Sequence, residues 1–239
     1  MAERRFVVEG PQAVREALDA LTVLFVLDPT DGLAVEAARR GVEVVEVDAK
    51  VLAALAETVT PQGLVGVAPL LDVELAAALA PASRLVTVLH EVADPGNAGT
   101  VIRTSDAAGA DALILTSGSV DPHNGKCVRA SAGSLWHLPV VSGPPFDQVL
   151  RELRRTGLQV LAASGSGPDD LDALTDSGVL SRPTAWVFGS EAHGLPESVQ
   201  AAADRCVRIP LHGRAESLNL ATAAAVCLYA SARAQRVLE

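Results

Sequence analysis

The chain has 239 residues, of which 49% are apolar and 20% charged, enough for one large domain or two small ones and too apolar to stay disordered. Its mean hydropathy is positive, +0.29, but the excess is spread through Ala, Val and Leu, and no run of about 18 residues escapes polar interruption, so no membrane span is expected. The net charge of −10 argues against indiscriminate nucleic-acid binding, and any RNA contact must come from a local arginine cluster.

Residues 1–80 hold thirteen acidic side chains against six basic ones, so the acid is concentrated at the front. The opening MAERRFVVEG holds acidic residues and a strand-like run where a secretory signal would have a basic segment and a long apolar one, and a cytoplasmic address is expected. Cys127, Cys206 and Cys227 lie far apart with no CxxC pair, which predicts buried free thiols and no thiolate zinc site.

From Pro11 the pattern alternates. A helical stretch runs to Ala20, an apolar run from Val23 to Leu27, a second helical stretch from Leu33 to Arg40, and then Val42 to Val47, each punctuated by Pro, Asp or Gly. A third helical stretch, Ala49 to Glu57, and a strand-like Leu64 to Ala68 complete a small α/β unit over residues 1–70. The segment LDVELAAALAPAS, with Pro69 before it and Pro81 inside it, reads as a connector over 71–82 that is helical in part. Beyond it, over 83–239, strands are predicted at Leu85–Leu89, Ala112–Leu115, Gln159–Ala163, Ala185–Phe188 and Cys206–Ile209. Strands separated by helices predict a mostly parallel sheet covered on both faces. Ser217 to Val237, rich in Ala and Leu without Gly or Pro, is expected to be the longest helix.

Ligands of open parallel sheets bind beyond the carboxyl ends of the strands, and three loops there carry polar residues. In HEVADPGNAGTVIRTSDAAGAD (90–111) a strand feeds a Pro-Gly turn and then a helix predicted to begin near Asn97, a natural N-cap, with Arg103 nearly two turns in. Read alone, these are a cap and a solvated charge. In FGSEAHGLPESV (188–199), Gly189 and Gly194 permit close approach or positive φ, Pro196 suits the first turn of the next helix, and Glu191 lies between the glycines. An ordinary strand-to-helix connection would look much the same, and His193 has no neighbour spaced as a second metal ligand. In VRIPLHGRAESLNL (207–220) the polar trio Glu216, Ser217 and Asn219 stands at the start of an apolar helix; Ser217 could be only its N-cap, but groups so placed need partners.

In this order the three segments resemble the three motifs of the SpoU (TrmH-like) RNA ribose 2′-O-methyltransferases of the SPOUT superfamily. The match lies in Asn97 with Ile102-Arg103-Thr104, in Gly189, Glu191, Gly194 and Leu195, and in Ile209, Pro210 and Gly213 followed by Ser217-Leu218-Asn219. KCVRASAGSLWHLPV (126–140) is similar to the family as well. The front unit, opening FVVEGPQAVREAL, resembles the ribosomal-protein-L30e-like substrate-binding domain that precedes such catalytic domains.

The resemblance implies S-adenosyl-L-methionine as cofactor, a deep trefoil knot, a homodimer, no metal, and RNA as substrate, ribosomal RNA favoured over transfer RNA. It implies a cofactor site of Gly189, Ser190, Gly194, Ile209, Leu211 and Leu218, and catalytic work for Asn97, Arg103, Glu191, Ser217 and Asn219. Arg103 reaches across the dimer interface in that family. Because a guanidinium stays protonated, we expect Arg103 to bind a phosphate and orient the ribose, while Glu191, a phosphate oxygen or water takes the proton. Arg129 is weighed equally as a phosphate contact and as a surface salt bridge; Arg151, Arg154 and Arg155 read as a solvated helix face. Two other readings stand beside this one. A binding module that has lost transfer activity would keep the fold, and SGSGPDD (164–170) offers a partial nucleotide fingerprint for an oxidoreductase. The latter lacks a full G-x-G-x-x-G, and its aspartates would repel a pyrophosphate.

Overall fold

The structure, a computed structural model, describes residues 4–71 and 73–236. The outer limits set above at residues 1 and 239, the helix end at Val237 and Asp72 of the connector lie outside the described residues. Two sheets organise the chain. The first is built from β1 (Arg5–Glu9), α1 (Pro11–Ala17), β2 (Val23–Val26), α2 (Gly32–Arg39), β3 (Glu43–Glu46), α3 (Ala49–Leu55) and β4 (Leu64–Pro69), in strand order β1-β4-β2-β3. β4 runs antiparallel to both β1 and β2, and β2 pairs parallel with β3. The Asp31 and Asp48 carboxylates accept the N–H groups of Leu33 and Val51, each at 2.8 Å, which fixes where α2 and α3 begin. The connector forms one helical turn, α4 (Leu75–Ala78).

The second sheet follows β5 (Leu85–Leu89), α5 (Pro95–Ala108), β6 (Ala112–Leu115), α6 (Gly125–Ser131), β7 (Val140–Ser142), α7 (Phe146–Arg155), β8 (Gln159–Ala163), β9 (Asp169–Asp170), α8 (Leu171–Asp176), β10 (Thr184–Phe188), α9 (Glu197–Ala202), β11 (Arg205–Arg208) and α10 (Leu220–Arg236). Seven parallel strands lie in the order β7-β6-β5-β10-β8-β11-β9. Every residue of β5, β6 and β10 is buried, as unbroken apolar runs such as ALIL require when helices cover both faces. β7 and β9 were not expected, because three and two residues carry no periodicity. β9 is purely acidic; Arg205 and Arg208 of neighbouring β11 pair with Asp169 at 3.0 Å and Asp170 at 3.2 Å and make that composition tolerable at a sheet edge.

Two buried polar pairs pin the helices that flank the site. Thr87 of β5 and Ser105 of α5 share a hydrogen bond of 2.8 Å, and the Trp186 indole of β10 donates to Ser231 of α10 at 2.9 Å. α5 and α10 therefore lie side by side on one face of the sheet. Cys127 and Cys227 are buried, and burial pushes the Cys127 thiol up to about 12 and Cys227 up as well. Cys206 is only half-buried, which corrects the expectation of three buried thiols.

Candidate active site

The loops that leave β8, β10 and β11 at their carboxyl ends enclose a cleft of about 620 Å³. Its apolar wall includes Phe188, Ile209, Leu211 and Leu218, and its polar rim Ser190, Glu191, Glu216 and Ser217. The loop after β10 is pinched shut: Gly194 donates its N–H to the Ser190 carbonyl at 2.9 Å and takes a φ of +66°, a conformation that suits glycine. A Cβ on Gly189 would collide with the Gly194 backbone, so both glycines are required by geometry. All six residues expected to hold the cofactor, Gly189, Ser190, Gly194, Ile209, Leu211 and Leu218, line this one cleft. Ser164 and Gly165, which in sequence stand out only within a partial oxidoreductase fingerprint, line it too; their position directly after β8 is the signal that points to the cleft.

A relay of side-chain amides ties the three loops together. Asn219 Oδ1 accepts the N–H groups of Ala221 at 2.8 Å and Thr222 at 3.3 Å, so Asn219 caps α10. Its Nδ2 must then be the outward group, and it donates to Asn97 Oδ1 at 3.1 Å. That in turn commits Asn97 Nδ2, which donates to Glu191 Oε1 at 2.8 Å. Each amide's orientation thus follows from the helical N–H groups at the head of the relay. Glu191 Oε2 has no hydrogen-bond partner among the described residues.

Two caps differ from expectation. α5 begins at Pro95, close to the expected start, but its cap is Asp94 and not Asn97, because the Asp94 carboxylate accepts the Asn97 N–H at 2.7 Å; Asn97 sits in the first turn, which frees its side chain for the relay. The Lys126 ammonium, 2.8 Å away, holds Asp94 below the usual carboxylate range, helped by the Asn97 N–H. α10 begins at Leu220 with Asn219 as cap, so Ser217 is not the cap and lies exposed at the rim. Pro196 likewise precedes the first turn of α9.

Arg103 is not brought to the cleft of its own chain. It is exposed on α5, six residues beyond Asn97 and so about one third of a turn off its direction. Arg129 lies elsewhere again: its guanidinium donates to Glu9 of β1 at 2.7 Å, and because Glu9 is buried the pair is not the surface salt bridge expected as one alternative. Arg151 and Arg155 pair with Asp147 and Glu152 along the exposed face of α7. Among the described residues no three His, Cys, Asp or Glu side chains are grouped to hold a metal.

The class of protein that such a cleft on a parallel sheet defines is settled by comparison with known proteins. Residues 84–229 match the model of the SpoU rRNA Methylase family, and residues 1–66 that of the MRM3-like substrate binding domain. The chain is 32% identical over 225 residues, 94% of its own length and 87% of the relative's, to the 23S rRNA (guanosine(2553)-2′-O)-methyltransferase RlmP of Bacillus subtilis. Among solved structures it superposes on an AdoMet-bound rRNA methyltransferase of Sinorhizobium meliloti with a TM-score of 0.82 and 34% identity, covering 96% of this chain and 87% of that one. It also superposes on the SpoU methyltransferase AviRb of Streptomyces viridochromogenes in complex with AdoMet, with a TM-score of 0.85 and 28% identity, covering 98% and 91%. The chain belongs to the SpoU methylase family.

Proposed function

We propose that this protein is an S-adenosylmethionine-dependent RNA ribose 2′-O-methyltransferase acting on ribosomal RNA in the cytoplasm, as a homodimer. The observation that carries the reading is the Asn219–Asn97–Glu191 relay at the rim of a cleft lined by every residue expected at the cofactor. The cleft fits that cofactor. The missing Cβ of Gly189 lets the Gly194 backbone fold against it and shapes the loop that borders the cleft, the apolar wall suits an adenine, and the polar rim suits an amino acid moiety. Gly189, Ile209, Leu211 and Leu218 would hold the adenosine, and Ser190 and Gly194 would border it. When bound, S-adenosylmethionine supplies an electrophilic methyl group on a sulfonium.

The chain's own contribution is positioning and a route for one proton. The ribose hydroxyl must lose its proton as it is methylated, and Glu191, with one oxygen fixed by Asn97 and the other open, accepts it, directly or through a phosphate oxygen or water. Arg103 binds the adjoining phosphate by its planar fork and orients the ribose. Its direction away from its own cleft favours service to the cleft of a second copy. An exposed stripe on α10, Thr222, Val226, Tyr229 and Arg233, adjoins α5 where the Tyr229 hydroxyl donates to the Ala107 carbonyl and supports pairing of copies through α5 and α10. The family's trefoil knot would be formed by the segment from β10 through α10, whose return from β11 to the α5 side of the sheet is compatible with threading.

Calorimetry with S-adenosylmethionine tests the cofactor, with binding expected for the wild type and none for Gly189→Ala. An Arg103→Lys variant assayed across pH tests the role of the arginine. The expected result is a reduced rate at every pH; a rate that recovers as the lysine deprotonates would make this residue the base instead.

A further inference from the structure

The family-like stretch after α5 does not touch the cleft. Residues 123–137, comprising α6 and the 3₁₀ turn Ser134–Trp136, face the front unit. Glu9, at the end of β1, is 3% exposed, and its carboxylate is satisfied from two sides: Oε2 accepts from Arg129 at 2.7 Å, and Oε1 accepts the N–H of Glu57, just past α3. Phe6 of β1 is wedged between the two units, its ring centroid 6.0 Å from Trp136 in a nearly parallel stack and 4.7 Å from His123. At two positions the platform has no side chain: a Cβ on Gly125 would meet the Glu57 carboxylate, and one on Gly133 the Glu16 methylenes.

A flexibly tethered domain needs none of this. The close seat of the Glu16 methylenes on Gly133 leaves little room for displacement, and a buried carboxylate is costly unless its partner is in register. The ion pair therefore penalises every other orientation more than it rewards this one, which is the behaviour of a key and not of a glue. We propose that residues 123–137 form a docking platform that locks the front unit in one orientation to the cleft, with the Glu9–Arg129 pair as its key. Arg129 thereby acts as a positioning residue for substrate choice. The consequence for RNA rests on the function proposed above: a substrate-binding unit held rigidly fixes how far along a bound RNA the methylated ribose lies.

The test uses the full chain with spin labels at Lys50→Cys and Arg151→Cys in a Cys206→Ser background, leaving the two buried thiols in place. With the labelled chain diluted in excess unlabelled protein, so that a dimer carries at most one labelled protomer, pulsed electron resonance should give one narrow distance for the parent. Glu9→Gln or Arg129→Gln should broaden it, and the Glu9→Gln, Arg129→Gln pair, whose amides can bond each other, should narrow it again. In parallel, the single variants should raise KM for a structured ribosomal RNA fragment about tenfold and leave kcat and S-adenosylmethionine affinity within about twofold. Unchanged distance distributions in both single variants would overturn the proposal. So would a KM raised by Arg129→Gln alone, which would make Arg129 a phosphate contact. If no variant, the parent included, methylated RNA, the functional reading would fail while the distances still decided the docking.

Discussion

Asn97 is the residue on which the site turns. It receives one hydrogen bond from Asn219 and gives one to Glu191, so Asn97→Ala removes both links while every residue of the cleft lining keeps its identity. Because the relay is exposed, the loss of stability is small, below about 1 kcal/mol. A freely rotating Glu191 should lower kcat about 10–100-fold, with S-adenosylmethionine affinity little changed; single-turnover rates beside calorimetry check this, and an equal loss in both would mean that Asn97 supports the cleft itself. The types and order of these residues were legible in the sequence. Their bonding was not: Asn97 as an N-cap would have spent its side chain on α5, and only the capture of that task by Asp94, three residues earlier, releases it. Arg129 shows the opposite case. An arginine in a family-like stretch reads as a phosphate ligand, and nothing local in the sequence announces a buried glutamate 120 residues upstream as its partner.

At the scale of elements, long apolar strands could be read to within a residue, as β5, β6 and β8 show, because burial on both faces leaves a continuous signature. β7 and β9 are defined by their neighbours in the sheet and have no such signature. Within an apolar packing of Ala224, Cys227 and Leu228, one buried bond links α10 directly to β10, from the Trp186 indole to Ser231. Ser231→Ala strands that N–H and should cost about 1–3 kcal/mol, read as a lower urea midpoint with an unchanged slope. Since Asn219 caps α10, a shift of this helix should also loosen the relay. Ser231→Ala is therefore expected to lower methylation more than its distance from the cleft suggests, and full activity in a destabilised protein would show that the relay is insulated from the helix.

The whole molecule joins an acidic front unit to a catalytic one through a junction that contains a titratable bridge. His137 lies between Asp106 of α5 at 2.9 Å and Glu16 of α1 at 3.2 Å. The Asp106 carboxylate, aided by Glu16, raises its pKa above the ordinary histidine value. A raised value means that the protonated form is favoured in the folded state, so the bridge contributes fully below about pH 6.5, the unfolded value, and its contribution is lost as pH rises through the folded one. The group is half exposed and the effect correspondingly modest. Thermal midpoints measured from pH 6 to 9 should fall more steeply in the parent than in His137→Gln, and parallel profiles would remove the bridge from the account. α5 carries Asp106 at one end and Asn97 at the other, so the junction and the site share one rigid element.

The most direct test of the whole is chemical. The purified protein, S-adenosylmethionine bearing a labelled methyl group and ribosomal RNA should yield, after digestion to nucleosides and mass spectrometry, label in a 2′-O-methylribose at a single position, and Gly189→Ala should yield none. Label in a nucleobase, or no label with the intact protein under conditions where the cofactor binds, would contradict the account.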